Sequence, residues 1–313
     1  MDAYPVSAVR YASFFVKIKE DSIMRLSTST NLLDRVYFDF GVISPESCLE
    51  QGLEAGFKVF DFNFCDQGRP GRPIAQDDWY EYIVNFKKFA DELGVTFSQT
   101  HLHMYDPKDP SVTDHAWEQE LLHRSIVCSG VLGAEWAVAH PLHQHRPDYS
   151  RQQYVQANLD FFGPILDEAQ KMGYGISLEN MVQWDENYVF ACNGEDLAEL
   201  VDALNRPNVG VCWDFGHANL SVRDQAAELR KIGSRLKSTH IADNHGLADE
   251  HLAPFYGHVD WHHMMRVLKE INYKGDFTYE IQAFSSPLPV ELRRTMTAHV
   301  ADIGNYLIRC FKE

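Results

Sequence analysis

"DDWYEYIVNFKKFADELGVTFSQTH", residues 77–101, changes its period halfway. As far as Leu93 the apolar side chains recur at steps of three and four, the spacing of a helix with one buried face. Gly94 then stands where helices commonly end. Beyond it, "GVTFSQTH" is a short β-rich run that ends on His101. A helix, a glycine and a strand closing on a histidine make one unit. The fold depends on how often that unit recurs.

Eight β-rich runs stand in the chain: "IMRLST" from residue 23, "FKVFDFN" from 57, "GVTFSQTH" from 94, "EWAVAHP" from 135, "YGISLEN" from 174, "NVGVCWDF" from 208, "RLKSTHI" from 235 and "DFTYEIQ" from 276. Each is followed by a longer segment of helical spacing, such as "SRQQYVQANLDFFGPILDEAQKMG" at 150–173. Ser44-Pro45-Glu46 is a helix start, with a Ser cap and Pro at the first helical position. Gly173 and Gly275, like Gly94, fall just before a strand and are expected to end helices. Alternating β/α units in this number predict a single (β/α)8 TIM barrel over 22–313, with a short N-terminal extension, 1–21, in which "VRYASFFVKI" reads as an extra strand or a cover over one barrel end. The runner-up is a doubly wound open sheet. It calls for a Gly-rich phosphate turn after the first strand, and "STSTNLLDRVYFDFG" has none.

The formal charge is −17 and the pI about 5.3. Such a surface disfavours partners whose affinity comes from neutralising phosphates, so nucleic acid is not expected. The six cysteines, Cys48, Cys65, Cys128, Cys192, Cys212 and Cys310, hold no C-x-x-C pair and form neither a disulfide framework nor a thiolate zinc site. The N-terminus lacks a basic start followed by an apolar run, and no stretch approaches the roughly 18 apolar residues that span a bilayer. A cytoplasmic protein is expected, with no membrane partner, and a homo-oligomer.

In a barrel the C-terminal ends of the strands form the active face. Those ends carry His101, His140, Glu179, Asp214, His240 and Glu280, at steps of 39, 39, 35, 26 and 40 residues. Residues far apart in sequence therefore converge on one rim, and each is a preferred ligand for a divalent metal. "SLEN", "CWDF" and "TYEI" each put an acid in an otherwise apolar strand. A buried carboxylate is costly unless paired or bound to metal. The competing reading is a set of salt bridges capping the barrel, but no Lys or Arg stands at the corresponding strand ends. After His240, "THIADNHGLADEHLAPFYGHVDWHH" (239–263) packs six histidines and four acids into a loop. Asp243 and His251 are expected to order that loop or support the ligands, and His245 and His258 to line the substrate pocket. His262 and His263 read as surface or capping residues. Trp136, Trp184, Trp213, Tyr105 and Phe215 are placed near the rim, where aromatics stack on sugars or simply pack.

Five motifs carry a family resemblance: "SLEN" around Glu179, "CWDFGH" at 212–217, "THIADN" around His240, "DEHLAPFYGHVDW" at 249–261 and "TYEI" around Glu280. In these the chain resembles the xylose-isomerase-like TIM-barrel superfamily, which includes sugar isomerases and epimerases and the zinc-dependent abasic-site endonucleases. The resemblance implies that Glu179, Asp214, His240 and Glu280 hold one metal ion, and that His217 contacts substrate. Likeness to the endonucleases implies further ligand positions at His101, His140, His217, Asp249 and His251. The alternative for Asp249 and His251 is a hydrogen-bonded pair that orders the loop. Where ketohexose epimerases have a sugar-gripping arginine, six residues after the ligand histidine, this chain has Gly246; where they have a second glutamate it has Asp185.

The function so implied is a divalent-metal-dependent sugar isomerase or epimerase that transfers a proton through an enediolate. Mn²⁺ or Mg²⁺ is the expected cofactor, with Zn²⁺ or Co²⁺ as alternatives. Glu179 and Glu280 would be the acid/base pair and His217 the orienting catalytic residue. His140, Asp185, His101 and His245 would bind a small sugar-like substrate. The same apparatus suits a lyase or dehydratase, a C-glycoside-cleaving enzyme, or an abasic-site endonuclease. A barrel that kept its fold and lost its chemistry is the non-enzymatic alternative, which retention of both glutamates opposes.

Overall fold

The computed structural model describes residues 24–33, 43–184, 187–285 and 287–312. The expected extension 1–21 and Asp185 lie outside the described residues. Eight parallel strands follow one another around the molecule: β1 Leu26–Ser29, β2 Val59–Asn63, β3 Thr96–His101, β4 Trp136–Ala139, β5 Gly175–Glu179, β6 Val209–Asp214, β7 Leu236–His240 and β8 Phe277–Tyr279. From β1 to β7 each strand pairs with its neighbour in chain order, and β1 also pairs with β8. Between β7 and β8 the ladder closes one residue past β7, where Ile241 N donates to Thr278 O at 2.8 Å and Glu280 N to Ile241 O at 3.1 Å. All eight strands expected from the sequence form, and they make the (β/α)8 barrel.

The helices between them follow from local chemistry. Ser44 caps the helix Pro45–Glu54 by accepting from Ser47 N. Ser150 and Gln153 form a reciprocal capping box at the start of Arg151–Met172. Gly94 and Gly173 take positive φ (71° and 87°) where their helices end, as expected. Gly275 does something else. The preceding helix, Trp261–Glu270, ends with Asn272 in the left-handed region (φ 58°). A side chain at 275 would meet Tyr273 Oη at 2.2 Å and Lys237 O at 2.5 Å, so that glycine serves close packing.

Nearly every strand residue is buried, because helices cover the outside and side chains fill the inside. The inside is polar beneath the C-terminal rim. Gln99 Nε2 donates to Asp61 Oδ2 at 2.7 Å, Thr278 Oγ1 to Gln99 Oε1 at 3.3 Å, and the Ser177 and Ser238 hydroxyls meet at 2.6 Å. The rim therefore rests on a hydrogen-bonded floor and not on a layer of branched hydrocarbons.

Candidate metal centre

Glu179, Asp214, His240 and Glu280 come from the ends of β5, β6, β7 and β8, and each offers a ligand atom within 4.8 Å of all the others. All four are buried. A second set, His101, His140 and Glu179, meets the same distance criterion, and so does His101 with His240 and Glu280. Glu179 joins the first two sets through different oxygens. Its Oε1 lies 2.7 Å from His240 Nδ1, and its Oε2 lies 3.1 Å from His140 Nε2 and 3.3 Å from His101 Nε2.

Several of these side chains are held from behind. Asp214 Oδ1 accepts from His217 N at 2.6 Å and so caps the helix Phe215–Ser221. Asn180, one residue past β5, accepts from Asp214 N, donates to Asp214 O, and receives His217 Nδ1 on its carbonyl at 2.8 Å. His217 therefore turns its other nitrogen, Nε2, to Asp249 Oδ2 at 3.4 Å. Asp249 Oδ2 also lies 2.9 Å from His251 Nε2, and His251 Nδ1 reaches Glu280 O at 3.0 Å. To do this His251 adopts φ 47°, a conformation costly for a residue with a side chain. Asp249 and His251 thus both order the loop and reach the cluster.

The electrostatics of the cluster follow from burial and close-set charges. Burial pushes the Asp214 carboxyl up to about 7; His217 opposes this, while Glu179, Glu280 and Asp249 push the same way. Burial would also raise Glu179, but His240, His101 and His140 hold it well below the usual carboxylate range. Burial disfavours charge on His217, yet Asp214, Asp249 and Glu179 raise it well above its ordinary value. Burial brings His140 down to about 4, so it is a neutral donor. Among the described residues, buried Asp214 Oδ2 and Asp249 Oδ1 find no hydrogen-bond partner. An orphaned carboxylate oxygen inside a ring of three acids and a histidine is the environment a divalent cation satisfies. The residues present therefore fit a divalent metal, with the oxygen and imidazole donors that suit Mn²⁺, Mg²⁺, Zn²⁺ or Co²⁺.

Other expected site residues lie elsewhere. The contacts described for His245 run to Glu250 (2.9 Å) and to the ring of His258, not to the cluster. Asp243 is a loop hub: its carboxylate accepts from Asn244 N, Phe255 N, Val259 N and Trp261 Nε1. His262 and His263 sit at the start of Trp261–Glu270 as expected, with Asp260 as the cap. Trp136 begins β4 and so lies at the opposite end from the rim, over Gly175. Trp213 and Phe215 are wholly buried core, and Trp184 is exposed.

Sequence reasoning missed Asp61, Asn180 and Cys65. Asp61 Oδ2 lies 3.4 Å from His240 Nε2, and Cys65 Sγ lies 3.2 Å from His101 Nδ1. The signal for Asp61 was present: "VFDFN" is a fourth acid in an apolar strand.

A family model described as xylose isomerase-like TIM barrel matches residues 49–299. The chain belongs to that family. A ketose 3-epimerase of Arthrobacter globiformis is 26% identical over 243 residues, 76% of this chain and 77% of that protein. An L-ribulose 3-epimerase of a Methylomonas species is 32% identical over 124 residues, 40% of each chain. Two uncharacterized relatives, from Sinorhizobium fredii (30% identical over 180 residues, 54% of this chain) and Methanocaldococcus jannaschii (31% over 130 residues, 41%), are matched over about half their length, 55% and 44%. Among solved structures, a D-psicose 3-epimerase in the presence of D-fructose superposes with a TM-score of 0.70 at 14% identity, covering 91% of this chain and 99% of that one. At that identity the likeness is one of fold.

Proposed function

We propose that this chain is a divalent-metal-dependent sugar epimerase. The observation that carries the reading is the convergence of Glu179, Asp214, His240 and Glu280 within 4.8 Å at the rim of the barrel. Support comes from the ketose 3-epimerase relative, which is matched over three quarters of its length. The four residues would hold the ion. When bound, it would supply the positive charge against which an enediolate's oxygen charge builds.

The chain's own groups do the rest. Glu179 and Glu280 rise from β5 and β8, so one, as the carboxylate, would take the proton from carbon, and the other, already protonated, would deliver its own solvent-derived proton to the opposite face. His217, anchored by Asn180 O, presents Nε2 with Asp249 to the substrate's hydroxyls. His140, neutral and partly exposed, donates through Nε2 toward Glu179 Oε2, which leaves its other nitrogen as an acceptor for the sugar. Gly246 takes positive φ where an arginine would otherwise grip the sugar. The Asp249–His251–His217 group occupies the polar role here, which favours an uncharged, hydroxyl-rich substrate.

The test is a ketose panel incubated with Mn²⁺ in D₂O. One deuterium at the inverted carbon is expected. A panel inverted without exchange would rule out proton transfer, and exchange with no inversion would move the reading to a lyase or dehydratase.

One observation favours a second reading. The His101–His140–Glu179 set and the Asp249–His217–His251 group extend the donor set beyond one ion, as in zinc-dependent abasic-site endonucleases. The charge of −17 opposes DNA as substrate. Elemental analysis beside a salt series of DNA retention separates the two: three ions per chain with salt-sensitive retention would favour the nuclease.

A further inference from the structure

Asp61 belongs to no motif read above, yet it is among the most buried acids of the chain, at 1% exposure. It sits on β2, two residues below the strand's end, inside the barrel. Its Oδ2 accepts from Gln99 Nε2 at 2.7 Å and faces His240 Nε2 at 3.4 Å; its Oδ1 has no hydrogen-bond partner among the described residues. His240 is therefore gripped at both nitrogens by acids. Nδ1 faces Glu179 at 2.7 Å and Glu280 at 3.4 Å, on the side of the cluster. Nε2 faces Asp61, on the side of the barrel floor.

A neutral imidazole has one N–H and one lone pair. To donate a lone pair to a metal through Nδ1, His240 must carry its proton on Nε2, and the only described acceptor there is Asp61. We infer that Asp61 is a positioning residue of the metal centre: it receives the Nε2 proton of His240, fixes that tautomer and ring plane, and aims the Nδ1 lone pair at the Glu179, Asp214 and Glu280 oxygens. The inference rests on the metal reading above. Gln99 holds Asp61 and is itself held by Thr278, so the polar floor of the barrel acts as the support of the rim. Carboxylate partners of this kind raise the basicity of a ligating histidine, and their loss typically weakens metal binding by about 10–100-fold. The 3.4 Å separation is long for an N–H···O bond, whose usual range is about 2.7–3.2 Å, and it is expected to shorten in the loaded protein.

Direct Mn²⁺ binding by calorimetry on wild type, Asp61→Ala, Asp61→Asn and His240→Ala tests this without recourse to turnover. ¹⁵N spectra of the zinc-loaded, ¹⁵N-histidine-labelled protein report the tautomer. His240→Ala should abolish tight binding, Asp61→Ala should weaken it by about 100-fold and the near-isosteric Asp61→Asn by about tenfold, with His240 Nε2 protonated in wild type. If Asp61→Ala does not fold, Asp61→Asn and the wild-type tautomer still decide. Asp61→Asn within about twofold of wild type, or a wild-type His240 protonated on Nδ1, overturns the inference while leaving the metal centre standing. Binding unchanged in His240→Ala would instead bring down the metal reading itself.

Discussion

At the scale of single residues, Glu280 and His217 separate ligation from chemistry. Glu280→Gln keeps the shape of the side chain but removes its charge and its capacity to take a proton. If Glu280 is an acid/base group, turnover should fall by about 10²–10⁴-fold and stay low however much Mn²⁺ is added. Full recovery in a Mn²⁺ titration would mean that only a ligand charge was lost. His217 differs, because its Nδ1 is committed to Asn180 O and its Nε2 points to Asp249. His217→Ala is expected to leave Mn²⁺ content unchanged, measured by elemental analysis, while lowering kcat/KM by roughly tenfold or more. Loss of metal in step with activity would make His217 a ligand and favour a centre with more than one ion.

At the scale of elements, the strands were legible because each is a short apolar run of β-rich composition, and the rim because a strand end leaves one position from which a side chain must face the mouth. That same rule explains what was missed. Asp61 shares the signature of Glu179 and Glu280, but it stands two residues before the end of β2, one layer deeper, and only the register of the closed barrel brings it beneath His240. Trp136 was misplaced for the mirror reason: it opens its strand instead of closing it. In the 244–260 loop the sequence named the ordering groups, Asp243 and His251, but not their partners: the Asp243 carboxylate reaches four donors, and His251 reaches Asp249 and Glu280 O. Asp243→Ala leaves the buried donors Asn244 N, Val259 N and Trp261 Nε1 unpaired, at a cost on the order of 1–3 kcal/mol each where water cannot replace the acceptor. Gly257→Ala would push a methyl to 2.3 Å from Asp243 Oδ1. Both variants should become sensitive to limited proteolysis within 244–260, ahead of any cleavage in the barrel. Global unfolding with no preferential cleavage there would show that the loop and barrel are one cooperative unit.

At the scale of the whole molecule, the buried cluster carries protons that a bound metal would have to displace, and those protons make stability depend on pH. With the metal chelated, burial and neighbouring carboxylates hold the Asp214 carboxyl up at about 7. His251 rises to about 9: burial opposes its charge, but Asp249, Glu280 and Asp214 outweigh it. Both folded values lie above the unfolded ones, near 4 for a carboxyl and 6.5 for histidine. The stability they contribute is therefore complete below those unfolded values and is lost as pH rises through about 7 for Asp214 and about 9 for His251. Glu179 runs the other way: three histidines depress it, so its contribution is present above the ordinary glutamate range and lost only as the solution becomes strongly acidic. Between pH 5 and 8 the chelated protein should thus melt at progressively lower temperature. Under the proposed metal reading, added metal is expected to reverse the slope, because binding would expel the protons these groups carry, and affinity should then rise by about tenfold per pH unit for each proton released. Calorimetric scans with EDTA and with excess Mn²⁺ across that range check both halves. The expected result is a metal-dependent increment in Tm that widens with pH, together with binding heats that vary with the ionisation enthalpy of the buffer. An increment independent of pH would mean that Asp214 enters the folded state already ionised, and that the cluster is neutralised by its histidines rather than held open for a cation.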